Sequence, residues 1–171
     1  MTLSLRRSTG SVGGTHRQAH HPSSGYRREP LRRQRPLTLV TTTKSDSHTW
    51  NLVYLELVLK ELGHDVVNLG PCVPVELLAG CAREVGPDLV VVSTVNGHGV
   101  RDGIEIAGVL RQMDELARTP IVIGGKLSTS GEAGASEQAR RLRHAGYDAV
   151  FGGTGAISAF RAFVAGAGVR A

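Results

Sequence analysis

Two kinds of apolar spacing alternate along the chain from residue 37 onward. Residues 37–43, 65–69, 88–93 and 120–125 are short runs rich in Val, Leu, Ile and Thr, and 148–151 is a shorter apolar run, Asp-Ala-Val-Phe. The run ending at Ser93 is apolar without alternation, as a strand covered on both faces of a parallel sheet should be. The intervening stretches carry helical spacing. Residues 49–62 place Leu52, Leu55, Val58, Leu59 and Leu62 on one side, and Gly63 stops the helix. A second helix is predicted over 74–85, with Pro74 near its first turn. A third spans 100–117, with Ile104, Ala107, Val109, Leu110 and Met113 facing inward. Helices over 135–145, stopped by Gly146, and over 156–165 complete the pattern.

Strict alternation of strand and helix, with no tandem repeat beyond it, predicts a doubly wound, flavodoxin-like (Rossmann-like) α/β fold. Five parallel strands in the order 2-1-3-4-5 suit the length. Such sheets bind ligands beyond the C-terminal ends of their strands, where strands 1 and 3 diverge.

Composition changes this picture at one end of the chain. Of the net charge of +5 over 171 residues, residues 1–36 hold eight Arg against Glu29, a net of +7; residues 37–171 hold 12 Lys and Arg against 14 acids, a net of −2. The chain therefore divides into a basic tail, 1–36, and a slightly acidic domain, 37–171. No basic face is implied for the domain, which argues against a nucleic-acid partner. The tail is rich in Arg, Ser, Gly, His and Pro and cannot bury enough surface to offset its ordering entropy, so disorder is expected. It is Arg-rich and acid-poor, as transit peptides are, but lacks a clear amphipathic helix. A binding arm for an acidic partner, or a start codon placed too far upstream, are the other readings. Cys72 and Cys81 form no disulfide framework and no zinc spacing, and are expected as buried or half-buried thiols. No apolar run approaches the ~18 residues of a membrane span, and no secretory signal is evident. The expected setting is soluble, reducing and cytoplasmic, with no membrane partner.

Three polar or glycine-rich loops fall at the expected ligand edge. The first holds Lys44, Ser45, Asp46, Ser47, His48 and Thr49; the second begins at Ser93, Thr94 and Val95; the third begins at Gly124 and Gly125 and continues through Lys126, Leu127, Ser128, Thr129 and Ser130. Asp46 and His48 form the sharpest pair. A carboxylate two residues from a histidine can hydrogen-bond one ring nitrogen, fix the tautomer and aim the other nitrogen outward, as a metal ligand or a general base. No second ligand lies nearby at zinc spacing, and His98 is only a remote candidate. One protein ligand suffices where a macrocycle supplies the other metal bonds.

Taken together, Asp46-x-His48, Ser93-x-Val95 and Gly124-Gly125 resemble the cobalamin-binding signature Asp-x-His-x-x-Gly, Ser-x-Leu, Gly-Gly. Between Asn51 and Ser93 lie 41 residues, and between Val95 and Gly124 lie 28, in agreement with the signature. The resemblance covers residues 37 to about 167. Within that family it is strongest to the small subunit of glutamate mutase (methylaspartate mutase), a stand-alone domain of similar size. Two positions depart: Asn51 stands where the motif has glycine, and Val95 where it has leucine. Trp50, beside the histidine, has no counterpart role.

The resemblance implies that adenosylcobalamin binds with its dimethylbenzimidazole tail detached from cobalt, and that His48 replaces it as axial ligand with Asp46 behind it. Ser93 would hydrogen-bond the tail base, with Thr94 and Val95 lining the slot. Gly124 and Gly125 would let the backbone approach the tail. Ser45, Ser47 and Thr49 would touch the corrin or tail, and Lys126, Leu127, Ser128, Thr129 and Ser130 would cover it. The reaction implied is the rearrangement of L-glutamate to (2S,3S)-3-methylaspartate, a radical isomerisation needing a large TIM-barrel subunit that holds the glutamate. Other readings are a corrinoid carrier of a methyltransferase, which usually adds an N-terminal helical bundle, and a cobalamin sensor or transport module. A phosphate-receiver or nucleotide-binding domain of the same fold lacks support from a phosphate-loop glycine pattern.

Overall fold

The computed structural model describes residues 34–127 and 134–166. Five strands and five helices alternate: β1 Leu37–Thr42, α1 Trp50–Glu61, β2 Asp65–Asn68, α2 Val75–Val85, β3 Leu89–Thr94, α3 Gly99–Leu110, β4 Ile121–Gly125, α4 Ala135–Ala145, β5 Ala149–Phe151 and α5 Ala156–Gly166. All strand pairs are parallel, and the sheet order is β2-β1-β3-β4-β5, as the alternation predicts. The register aligns Thr42 with Ser93 and Ser93 with Gly124, so the three candidate loops leave the sheet side by side.

Successive strand residues point to opposite faces, and the core divides accordingly. Leu39, Val90, Val92, Ile121 and Ile123 pack under α2, α3 and α4. Val40, Leu89, Val91 and Val122 pack under α1 and α5, with Leu52, Leu55, Leu59 and Phe160. The outer side of α1 is apolar as well, exposing Trp50, Val53, Tyr54 and Leu57 at i, i+3, i+4 and i+7.

The N-terminal edge of the sheet is tied internally. Asp88 accepts from the Leu37 N–H at 2.7 Å, and Asp148 accepts from the Ile121 N–H at 2.7 Å and from Arg111 at 2.5 Å. His64, buried, pairs its Nδ1 with the Thr38 hydroxyl at 2.7 Å. Arg35 donates to the Gly63 carbonyl at 3.0 Å, and the Pro36 carbonyl accepts from the Asp65 N–H at 2.9 Å. Contacts with the sheet thus begin two residues before the boundary read from the sequence. The rest of the basic tail, residues 1–33, lies outside the described residues.

Two expectations need correction. The third helix ends at Leu110 rather than 117, and a short 3₁₀ turn, Asp114–Leu116, follows. Leu110, Met113 and Leu116 are all buried at a spacing of three, which mimics an α-helix. Their turn is closed instead by i→i−3 bonds, Gln112 N–H to Val109 at 3.2 Å and Met113 N–H to Leu110 at 3.2 Å. Within α3 the expected inner positions do face the core, Ile104 and Val109 packing half-buried against it beside the fully buried Ile106. Cys72 is exposed, on a loop where its φ is +55°, not buried.

Candidate functional site

The site grows from the turn that ends β1. The Asp46 N–H closes the turn on the Thr43 carbonyl at 3.0 Å, and the Asp46 carbonyl accepts from the Thr42 hydroxyl at 3.2 Å and from the Cys72 N–H at 2.8 Å. These bonds leave the Asp46 carboxylate fully buried at the switch point. One oxygen accepts from the His48 N–H at 3.0 Å and pairs with the His48 ring Nδ1 at 2.7 Å. The other accepts from the Val95 N–H at 2.6 Å, joining the first loop to the end of β3. Burial opposes ionisation of Asp46, but the His48 and Val95 N–H groups and the His48 ring outweigh it and hold the carboxyl below its ordinary range. An ionised Asp46 takes the Nδ1 proton as a hydrogen bond, which leaves Nε2 as the basic nitrogen. The His48 side chain is 59% exposed, and no described residue hydrogen-bonds Nε2.

Beside this pair a cleft of about 310 Å³ opens between α1, α5 and the ends of β3 and β4. Its walls are apolar, with Tyr54, Leu55, Val91, Val122, Phe151 and Phe160 among them; its polar end is formed by Ser93 and Asn51. Asn51 donates from Nδ2 to the Ser93 hydroxyl at 2.7 Å, while Asn51 Oδ1 is buried without a partner. Gly124 and Gly125 line the cleft, and the chain itself requires both. A Cβ on Gly125, whose φ is +112°, would stand 2.1 Å from the Thr94 carbonyl oxygen; one on Gly124 would stand 2.9 Å from that of Phe151.

Not every candidate residue meets the cleft. Ser93 and Val95 line it, whereas Thr94 points to the opposite face, where its hydroxyl donates to Asn96 at 3.1 Å. Leu127 is buried in the core under α3, and its carbonyl accepts from the Val100 N–H at 3.3 Å, so it does not cover the cleft. Ser45 turns toward α3, donating to the buried Asp102 carboxylate and accepting from Asn96 at 2.7 Å. Burial opposes ionisation of Asp102, but Ser45 and Arg101 prevail and hold its carboxyl low. Ser47, Thr49 and Lys126 are exposed on the rim, and Ser128, Thr129 and Ser130 lie outside the described residues. His98 is exposed at the start of α3, and among the described residues no cluster of three or more His, Cys, Asp or Glu could hold a metal ion.

Sequence reasoning missed Asp102 and Asn96, which brace Ser45, and the apolar walls of the cleft. Val91 and Val122 were within reach of it: each lies two residues before a candidate, Ser93 or Gly124, and so on the same face.

A parallel sheet of this order, with a cleft at the switch point beside a buried carboxylate and an outward histidine, defines a flavodoxin-like α/β domain. The B12 binding domain family model matches residues 36–161. The chain belongs to that family. It is 31% identical over 120 residues to the glutamate mutase sigma subunit of Halobacterium salinarum, covering 68% of this chain and 76% of that one. It is 29% identical over 109 residues to the glutamate mutase sigma subunit of Fusobacterium nucleatum, covering 63% and 77%. A solved cobalamin-binding protein from Desulfitobacterium hafniense shares the fold, with a TM-score of 0.59 and 21% identity. The match covers 75% of this chain but only 59% of that one.

The residues fit such a cofactor. The outward His48 nitrogen leaves a single donor exposed, which would suit a metal whose other bonds a macrocycle supplies better than a bare ion. The cleft volume falls in the ~300–1,000 Å³ range of small-molecule sites, and its apolar walls and hydroxyl end suit an aromatic base carrying a ring acceptor.

Proposed function

We propose that this chain is the cobalamin-binding subunit of an adenosylcobalamin-dependent carbon-skeleton mutase. It would interconvert L-glutamate and (2S,3S)-3-methylaspartate together with a separate TIM-barrel subunit that holds the substrate. The observation that best supports this reading is the Asp46–His48 pair, 2.7 Å apart, set beside the cleft that ends in Ser93. The sigma-subunit relatives support the choice of reaction.

In this reading His48 would hold the cobalt through Nε2, and Asp46 would accept the Nδ1 proton, fixing the tautomer and the direction of the ligating nitrogen. The cleft takes the detached nucleotide tail, with Ser93 facing its base and Gly124 and Gly125 forming its floor. Homolysis of a cobalt–carbon bond is the chemistry the cofactor supplies when bound. Lys44 pairs with Glu105 at 2.7 Å and Ser45 with Asp102. Lys44 and Ser45 are thus engaged in holding the loop, and glutamate recognition is assigned to the partner.

Titration with adenosylcobalamin, followed by absorbance and by electron paramagnetic resonance of the cob(II)alamin form, tests the assignment. The expected result is a base-off spectrum with nitrogen coupling from a protein histidine, lost in His48→Gly. The same spectrum in the variant, or a base-on spectrum in the wild type, would overturn it. The division of labour is tested by assaying mutase turnover with and without the barrel subunit; turnover by this chain alone refutes it.

A further inference from the structure

We propose that Asn51 is a displaceable plug over the polar end of the cleft, which discriminates against corrinoids that carry a nucleotide tail. The inference rests on the reading that such a tail enters this cleft. Asn51 is the second residue of α1 and lines the cleft opposite Ser93. Its Nδ2 sits 2.7 Å from the Ser93 hydroxyl, the group that a seated base would face.

The other end of the same amide shows that this arrangement is easily given up. Oδ1 is buried and has no hydrogen-bond partner, a state that costs free energy relative to a hydrated carbonyl. The atom is sealed from solvent, so neither water nor a molecule lying in the cleft can supply the missing donor while the side chain stays in place. Rotation about χ1 toward the outer surface of α1, where the adjacent Trp50 is exposed, hydrates both ends of the amide and frees Ser93. The backbone need not move, because Asn51 lies within the regular helix. Phe151, Phe160 and the strand valines offer the incoming base an apolar bed once the amide has left. Tail binding therefore has to displace an internal hydrogen bond that a smaller residue at this position would not make, whereas a corrinoid without a tail has no need to displace it.

The test compares cobalamin with cobinamide, the corrinoid lacking the nucleotide tail, by absorbance titration of the full chain. Wild type, Asn51→Gly and Asn51→Ala are measured, with circular dichroism to establish that each folds; Ala favours the helix where Gly does not. The expected result is cobalamin binding about tenfold tighter in both variants, with cobinamide binding unchanged within about twofold. Cobalamin affinity that is unchanged or weaker in both variants overturns the plug and makes Asn51 a neutral or supporting wall. An equal change for both corrinoids reduces the effect to helix stability and also overturns it. If neither corrinoid binds the wild-type chain, the cobalamin reading itself fails, and the plug with it.

Discussion

The two ends of the sheet are built from the same materials and put them to different use. At the N-terminal edge, Asp88 and Asp148 each accept a strand-opening N–H, and His64 spends its Nδ1 on Thr38 out of contact with water. At the C-terminal edge, Asp46 accepts the Val95 N–H in the same manner, but its histidine partner is 59% exposed and Asn51 leaves an oxygen unpaired. One edge is closed within the chain. The other keeps a ring nitrogen and an apolar cleft available to something else. The contrast teaches that a histidine marks the candidate site here by the nitrogen it leaves exposed, not by its presence.

The contrast can be broken most decisively at His48. His48→Gly is expected to weaken adenosylcobalamin binding by about 100-fold or more if His48 is the ligand as proposed, since changes to a ligand's own hydrogen-bond partners already cost 10–100-fold. Its unfolding free energy in urea should fall by only about 1–2 kcal/mol, because the buried Asp46 carboxylate loses the ring but keeps the His48 and Val95 N–H donors. A large stability loss would place His48 with the closed edge. Asp46→Asn comes next, with a 10–100-fold loss of affinity expected as the anionic partner of Nδ1 disappears; unchanged affinity would mean that His48 needs no orientation. At the other edge, Asp148→Ala removes the acceptor shared by the Ile121 N–H and Arg111, at a cost of about 1–2 kcal/mol after allowing for its half-exposed position. Corrinoid affinity should not change, and an equal loss of affinity would erase the distinction between the ends.

The smallest effect is one of pH. Burial, the leading cause, lowers the His64 pKa from its ordinary 6.5, with Arg35 adding to the shift and Asp88 opposing it. The unfolded chain therefore binds a proton more readily, so stability rises with pH. The contribution of a neutral His64 is complete above the ordinary histidine range and is lost as pH falls through the lowered folded value. Urea midpoints of wild type should decline over that range, and those of His64→Gln should decline less. Parallel curves would remove His64 from the account.

Much of the fold was legible because its signals are local. The α4 limits and all five strands follow from runs and glycine stops that need no knowledge of the neighbours. The C-terminus of α3 was not legible, since a spacing of three at Leu110, Met113 and Leu116 reads alike in an α-helix and in a tight 3₁₀ turn. At the site, the Asp46–His48 pair was legible from two positions in one loop. The bond between Asn51 and Ser93 was not, because its partners are 42 residues apart and nothing in either segment specifies the side-chain geometry. Thr94 and Leu127 were misread for another reason: placing a residue at the right strand end does not say which face of the sheet it serves. The Gly124–Gly125 pair was correctly placed, yet its requirement comes from the Thr94 and Phe151 carbonyls within the chain itself.

One exposed side chain turns the chain into its own optical probe. Trp50 is the single tryptophan of the sequence, is 83% exposed, and follows His48 by two residues, a backbone span of at most ~7 Å. Its fluorescence is therefore that of a hydrated indole, free of competing tryptophan emission from elsewhere in the chain. A strongly coloured ring held at His48 would lie within energy-transfer distance and darken it, so occupancy can be followed at micromolar protein with no label attached.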